Sequence, residues 1–237
     1  LLVFSISLLE VVNSQPLRKG RVDRKFKTGK GGLAKLGDNN NVKTEVSLAA
    51  ATADPAALGL GGFALTTFVL SMANAQFIAL AAKPVFVGLA FFYGGLAQLL
   101  AGMQEFKKNN VFGATAFSTY GAFWMSLAFV VLMELLGVFK FGEAAGQAIG
   151  LFLVAFTIFN TYMWIGSFRV SVAVCAVFTT LEITFILLDL AELGFISSVP
   201  GGIMGIICAL TAWYTSAAVV LNTVYRRTVL PVGPLNK

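Results

Sequence analysis

The chain has 237 residues, 57% of them hydrophobic and only 12% charged, with a formal net charge of +6 and a mean hydropathy of +0.83. A soluble domain usually carries about 25% charged residues, so the composition excludes a soluble single domain. The absence of His excludes His-based metal sites, Ser/His and Cys/His nucleophile pairs and a His proton relay.

Residues 1–14, "LLVFSISLLEVVNS", form an apolar run interrupted by Glu10 and shorter than the roughly 20 residues a spanning helix needs. We read it as the end of a targeting sequence or a truncated gene product and exclude it from the fold. Residues 15–52 are rich in Lys, Arg, Gly and Asn without apolar period, which predicts a flexible tail. Residues 1–52 thus precede a membrane domain at 53–228 and a C-terminal tail at 229–237.

From Ala56 onward, apolar stretches of spanning length recur between breaks marked by Pro, Gly, Asn or charge. They predict six spans: Ala56–Asn74, Pro84–Gln104, Ala114–Gly137, Gln147–Phe168, Val170–Leu188 and Pro200–Tyr225. The expected fold is an all-α membrane protein, because lipid cannot satisfy backbone polar groups and no run shows the two-residue alternation of a barrel strand. Six spans put both termini on one side. That side receives 15 Lys and Arg against two, Lys83 and Lys140, on the other, or six against two without the tail. The bias orients both termini toward the cytoplasm.

Small residues recur every fourth position at Gly142, Gly146 and Gly150, and at Gly201, Gly205 and Ala209, a pattern that lets helix backbones approach closely within one subunit or between subunits. Cys175 and Cys208 stand alone in apolar runs and read as small hydrophobes.

The stretch "DPAALGLGGFALTT", residues 54–67, resembles a Gly-rich phosphate loop, but no GxxxxGK[ST] is present and no Lys follows before Lys83. It reads instead as a helix start, with Asp54 at the N-cap and Pro55 in the first turn. It is followed by "FFYGGLAQLLAGMQEFKKNNVFGATAFSTYGAFW", residues 91–124, and the membrane domain ends in "RRTVLPVG". In that order and spacing the motifs closely resemble the acetate uptake transporter family, bacterial and fungal permeases for acetate and succinate. The resemblance runs from about Asp54 to Gly233. The family signature Asn-Pro-Ala-Pro-Leu-Gly-Leu falls on Asp54, Pro55, Ala56, Ala57, Leu58, Gly59 and Leu60. It departs at Asp54, where an Asp carboxylate repels an anionic substrate unless it is protonated or turned to cap the helix, and at Ala57.

The resemblance implies a pore in each protomer, narrowed by a ring of Phe63, Tyr120 and Leu181, and a homo-oligomer for which a hexamer is the candidate. An apolar ring holds back hydrated ions by dewetting. Ordinary core packing is the competing reading of each ring residue. Polar residues inside the spans must find a partner or face water, which makes Thr66, Thr67, Gln98 and Asn160 substrate-contact candidates, with Tyr214 and Asn222 weaker ones. Glu182 lies well inside the fifth span beside Leu181, and intramembrane acids commonly mark proton or ion pathways. Adjacent helix positions differ by about 100°, so Glu182 points to one side if Leu181 faces a pore. A proton relay and a bond to a neighbouring helix both remain open.

The expected function is a plasma-membrane or organellar permease for acetate, with succinate or related short carboxylates, by proton symport or channel-like passage. A passive channel for ammonium or acetate anion is the alternative within transport. A non-transporting membrane sensor or assembly protein of the same fold is the alternative outside it. The sequence presents no nucleophile–base pair, metal cluster or cofactor loop, so no enzymatic activity, cofactor, metal or nucleic-acid partner is expected.

Overall fold

The structure of the protein, a computed structural model, describes residues 53–235. The stub and basic tail expected over residues 1–52 lie outside the described residues, as do residues 236–237 of the C-terminal tail. Six helical spans are long and apolar enough to cross a membrane. The first is α1, Ala56–Asn74. The second is composite: a 3-10 turn at Leu80–Ala82, α2 at Val85–Phe91, a π-helical segment at Phe92–Ala97 and α3 at Gln98–Lys107. The remaining four are α4 (Val111–Leu135), α5 (Ala145–Ser167, preceded by a 3-10 turn at Gly142–Ala144), α6 (Val172–Glu192) and α7 (Val199–Tyr225).

The first span has the expected bounds, and the shifts elsewhere have local causes. Asn110 starts α4 three residues early by accepting from the Gly113 N–H at 3.2 Å. Ser171, in extended backbone, starts α6 late by accepting from the Val174 N–H at 3.2 Å. α4 stops before Gly137, at φ 69°, where the Val138 N–H reaches the Met133 carbonyl at 2.9 Å. α6 runs past Leu188 to a similar turn at Gly194, at φ 82°, where the Phe195 N–H reaches the Leu190 carbonyl at 2.9 Å.

α1 packs along α7, α7 against α6, and α6 against α5, while α3 packs on α4 and the π-helical segment lies against α1. α4 and α5 meet sparingly. Large apolar side chains such as Leu151, Ile158, Ile165 and Phe92 point outward, whereas Gln98, Glu105, Asn160 and Thr66 are fully buried. That inverts the pattern of a soluble helix bundle and suits lipid as the outer solvent.

Small residues decide the tight contacts. A Cβ on Gly59 would lie 2.7 Å from the Phe117 ring, and one on Gly62 would lie 2.6 Å from the Tyr93 carbonyl oxygen. The fourfold glycine stripes pack within the chain: Gly150 faces Glu192 and Leu193, Gly201 faces Leu188, and Gly205 faces Ser71 and Thr184. Gly142 has open space around it.

Residues 229–235 fold back as a strap. The Asn222 side chain accepts from the Val229 and Leu230 N–H groups at 2.6 and 3.0 Å, and the Tyr214 hydroxyl donates to the Pro231 carbonyl at 2.8 Å. The strap carbonyls of Gly233 and Val232 then accept from the first N–H groups of α6, Val172 and Ala173, at 2.8 and 3.0 Å. Tyr214 and Asn222 are therefore tied to the strap.

Gly62→Val is expected to destabilise the protein by about 1–3 kcal/mol, the usual cost of overpacking, read as thermal unfolding in detergent. Gly88→Ala, where no atom lies within 4 Å of an added Cβ, is expected to be neutral or mildly stabilising.

Candidate permeation site

The glycine-thinned α1 carries Phe63 into the bundle, where it meets Tyr120 of α4 with ring centroids 5.8 Å apart and planes inclined by 60°. Leu181 of α6 is buried with them. Tyr120 is braced from behind by Phe159, edge-on at 5.4 Å, and by Phe178 at 6.2 Å.

Two cavities approach this cluster from opposite ends of the bundle. The larger, about 390 Å³, reaches the end marked by Asn74, Glu134, Ala145 and Glu192. The smaller, about 110 Å³, reaches the end marked by Ala56, Glu105, Asn110 and Val170. Their linings have three residues in common: Phe63, Tyr120 and Leu181.

Both linings are mostly apolar, but each contains polar atoms that lack a hydrogen-bond partner. In the larger cavity these are the Trp124 indole N–H and the Thr67 hydroxyl. An indole nitrogen only donates, and a hydroxyl can donate. In the smaller cavity they are Gln98 Oε1 and Glu105 Oε1, both acceptors. Leaving such groups buried and unpaired costs about 1–3 kcal/mol each.

A seam of polar side chains joins α5 to α6 beside the cavities. Glu182 accepts from Asn160 Nδ2 at 2.6 Å and from Thr161 Oγ1 at 2.7 Å. Two turns along, Thr157 Oγ1 lies 2.6 Å from Asp189 Oδ2, and toward the other end the Trp164 N–H donates to Thr179 Oγ1 at 2.8 Å. Asn160 Oδ1 accepts from the Tyr120 hydroxyl at 2.5 Å. Of the two roles that the sequence leaves open for Glu182, this geometry supplies the bond to a neighbouring helix.

The signature residues separate by location. Asp54 lies just before the N-cap, which Pro55 occupies, yet its carboxylate still accepts from the Ala56 N–H at 3.0 Å. The same oxygen pairs with Lys108 Nζ at 3.1 Å. Leu60 lines the smaller cavity, Gly59 packs on Phe117, and Leu58 faces outward in neither cavity. Thr66 is fully buried against the π-helical segment at Gly94, and Asn160 lines neither cavity. Gln98 and Thr67 do line them. Sequence reasoning misses Trp124, Glu105 and Asp189. Glu105 and Asp189 each fall one residue beyond an expected span end, Gln104 and Leu188, which hides both as intramembrane acids. Trp124 closes the long second motif and reads as a core aromatic.

Thr157→Val removes the donor to Asp189, whose other oxygen already lacks a partner, and is expected to cost about 1–3 kcal/mol of stability. Thr157→Val/Asp189→Leu is expected to recover most of that loss, since replacing both partners leaves nothing unpaired. Unfolding in detergent for both variants checks it.

The chain is similar to the succinate-acetate/proton symporter SatP of Escherichia coli K12, with 37% identity over 183 residues, 76% of this chain and 95% of that protein. It is 40% identical over 173 residues to Ammonia transport outward protein 2 of Saccharomyces cerevisiae, covering 70% of this chain and 61% of that one. Its fold matches the solved structure of the bacterial acetate channel SatP with a TM-score of 0.72 at 36% identity, over 77% of this chain and 99% of that chain. With six helices long and apolar enough to cross a membrane and relatives of this kind, it is an integral, multi-pass membrane protein. A family model described as the GPR1/FUN34/yaaH family matches residues 37–237, and the chain belongs to that family.

Proposed function

We propose that the protein is a permease for acetate, with succinate and other short carboxylates as further substrates, and that the permeant crosses between the two cavities through the Phe63, Tyr120 and Leu181 ring. The observation that carries this reading is that those three residues, and no others, belong to both linings. The similarity to a succinate-acetate/proton symporter and to an acetate channel supports the substrate class. In this reading the Trp124 N–H and Thr67 hydroxyl meet the carboxylate in the larger cavity, and the apolar ring turns back hydrated ions that cannot shed their water. Asp54 stays at the helix start, its charge offset by Lys108.

The charge bias puts both termini in the cytoplasm, so the smaller cavity faces inward and the larger one outward. Proton symport, a homo-oligomer such as a hexamer, residence in a plasma or organellar membrane and the lack of an enzymatic reaction complete the proposal. Glu182 is the carboxyl within reach of the ring, through Asn160.

A second reading has its own support. Gln98 Oε1 and Glu105 Oε1 offer acceptors in the smaller cavity, which suit a donor such as ammonium, and one relative is named for ammonia transport.

Purified protein in liposomes is expected to take up labelled acetate, faster with an inwardly directed proton gradient. Uptake of ammonium alone would favour the second reading, and uptake of neither would remove both. Phe63→Ala is expected to admit larger dicarboxylates. Trp124→Phe is expected to raise the KM for acetate about tenfold, since a hydrogen bond to a charged group is worth about 1.5–3 kcal/mol. An unchanged KM would take the indole out of the site.

A further inference from the structure

We infer that Asn160 is a positioning residue for the ring: with Glu182 behind it, it ties the Tyr120 hydroxyl out of the permeation path and sets the opening between Tyr120 and Leu181. The inference rests on the reading of the ring as the narrowest part of that path.

Asn160 is fully buried and lines neither cavity, so it has no direct route to a permeant. Its amide is engaged at both ends. Oδ1 accepts from the Tyr120 hydroxyl at 2.5 Å, and Nδ2 donates to Glu182 Oε2 at 2.6 Å with the Phe178 carbonyl at 3.4 Å. Glu182 is held in turn by Thr161 at 2.7 Å. A hydroxyl has one proton to donate, and Tyr120 directs it to Asn160. What Tyr120 presents to the cavities is therefore its ring, not a polar handle.

The same chain of contacts fixes distances. Glu182 is the chain neighbour of Leu181, so anchoring Glu182 to Asn160 also anchors Leu181 relative to Tyr120. Among the described residues, the Tyr120 to Asn160 bond is the side-chain hydrogen bond that crosses from α4 to α5, where the helices otherwise meet through aromatic rings, Phe123 with Phe152 and Phe156 and Tyr120 with Phe159. With lipid outside, apolar surface gives those helices no strong preference for one spacing. A buried bond with both partners placed does. The sideways projection of Glu182 follows from this arrangement: it points away from the path because it supports the ring from behind.

The test uses the full chain in proteoliposomes and reads the ratio of initial succinate to acetate uptake for wild type, Asn160→Leu, Tyr120→Phe and the double variant. A purely structural role changes the amount of folded protein but leaves the ratio alone. Each single variant is expected to raise the ratio about tenfold, within the range that one methylene of pocket size commands. The double variant is expected to do no more than either alone, because both remove the same tie. If Asn160→Leu does not fold, Tyr120→Phe, which keeps the ring, decides. An unchanged ratio in the folded variants, or effects that multiply in the double variant, would overturn the inference while leaving wild-type acetate uptake, and so the proposed function, intact. A wild type that transports no acetate would remove the function and this inference together.

Discussion

In the arrangement we infer, the bond between Asn160 and Glu182 is the constraint on which the site depends. In lipid, burying an apolar helix face against another gains little, because the solvent is as apolar as the face. Close backbone packing and hydrogen bonds must then choose the register. Here Gly59 and Gly62 let α1 settle against its neighbours, and the Thr157, Thr161 and Trp164 contacts lock α5 to α6. Asn160 connects that pair to α4 at the level of the ring.

The site follows from what this scaffold leaves unfilled. Cavities remain toward both ends of the bundle, the larger lined mainly by α1, α4, α5 and α6 and the smaller by α1, α3, α4 and α6. Most polar groups in the seam satisfy one another, Asp189 Oδ1 excepted, whereas Trp124 and Thr67 on one side of the ring and Gln98 and Glu105 on the other each hold a buried polar atom without a partner. In our proposal a carboxylate meets donors in the larger cavity, sheds water at the ring and leaves past acceptors. That order suits an anion that gains a proton on the way through, and it gives the two cavities unequal chemistry from one short chain.

Much of the fold is legible in the sequence because spanning helices are long and nearly unbroken, so hydropathy and breaks place all six, the first at both ends. The π-helical segment at Phe92–Ala97 is not legible: hydropathy does not register it, and the neighbours of its glycines, Thr66 of α1 at Gly94 and Met125 of α4 at Gly95, lie on other spans. The ring residues come from motif resemblance, and periodicity alone would leave each as core packing. Asn160 and Glu182 are visible as polar interruptions, but their partners are not: Asn160 meets Tyr120 40 positions away and Glu182 22 positions away. The seam partner Asp189 escapes because the hydropathy boundary falls at Leu188, one residue before this second acid, although the helix continues to Glu192.

The central claim is that the permeant passes between Phe63, Tyr120 and Leu181. It is tested most directly by placing one thiol there, Leu181→Cys, in a background with Cys175 and Cys208 replaced by Ala, and attaching a bulky methanethiosulfonate group. The account predicts that labelling stops acetate uptake and that a reductant restores it. Complete labelling with undiminished uptake would contradict it.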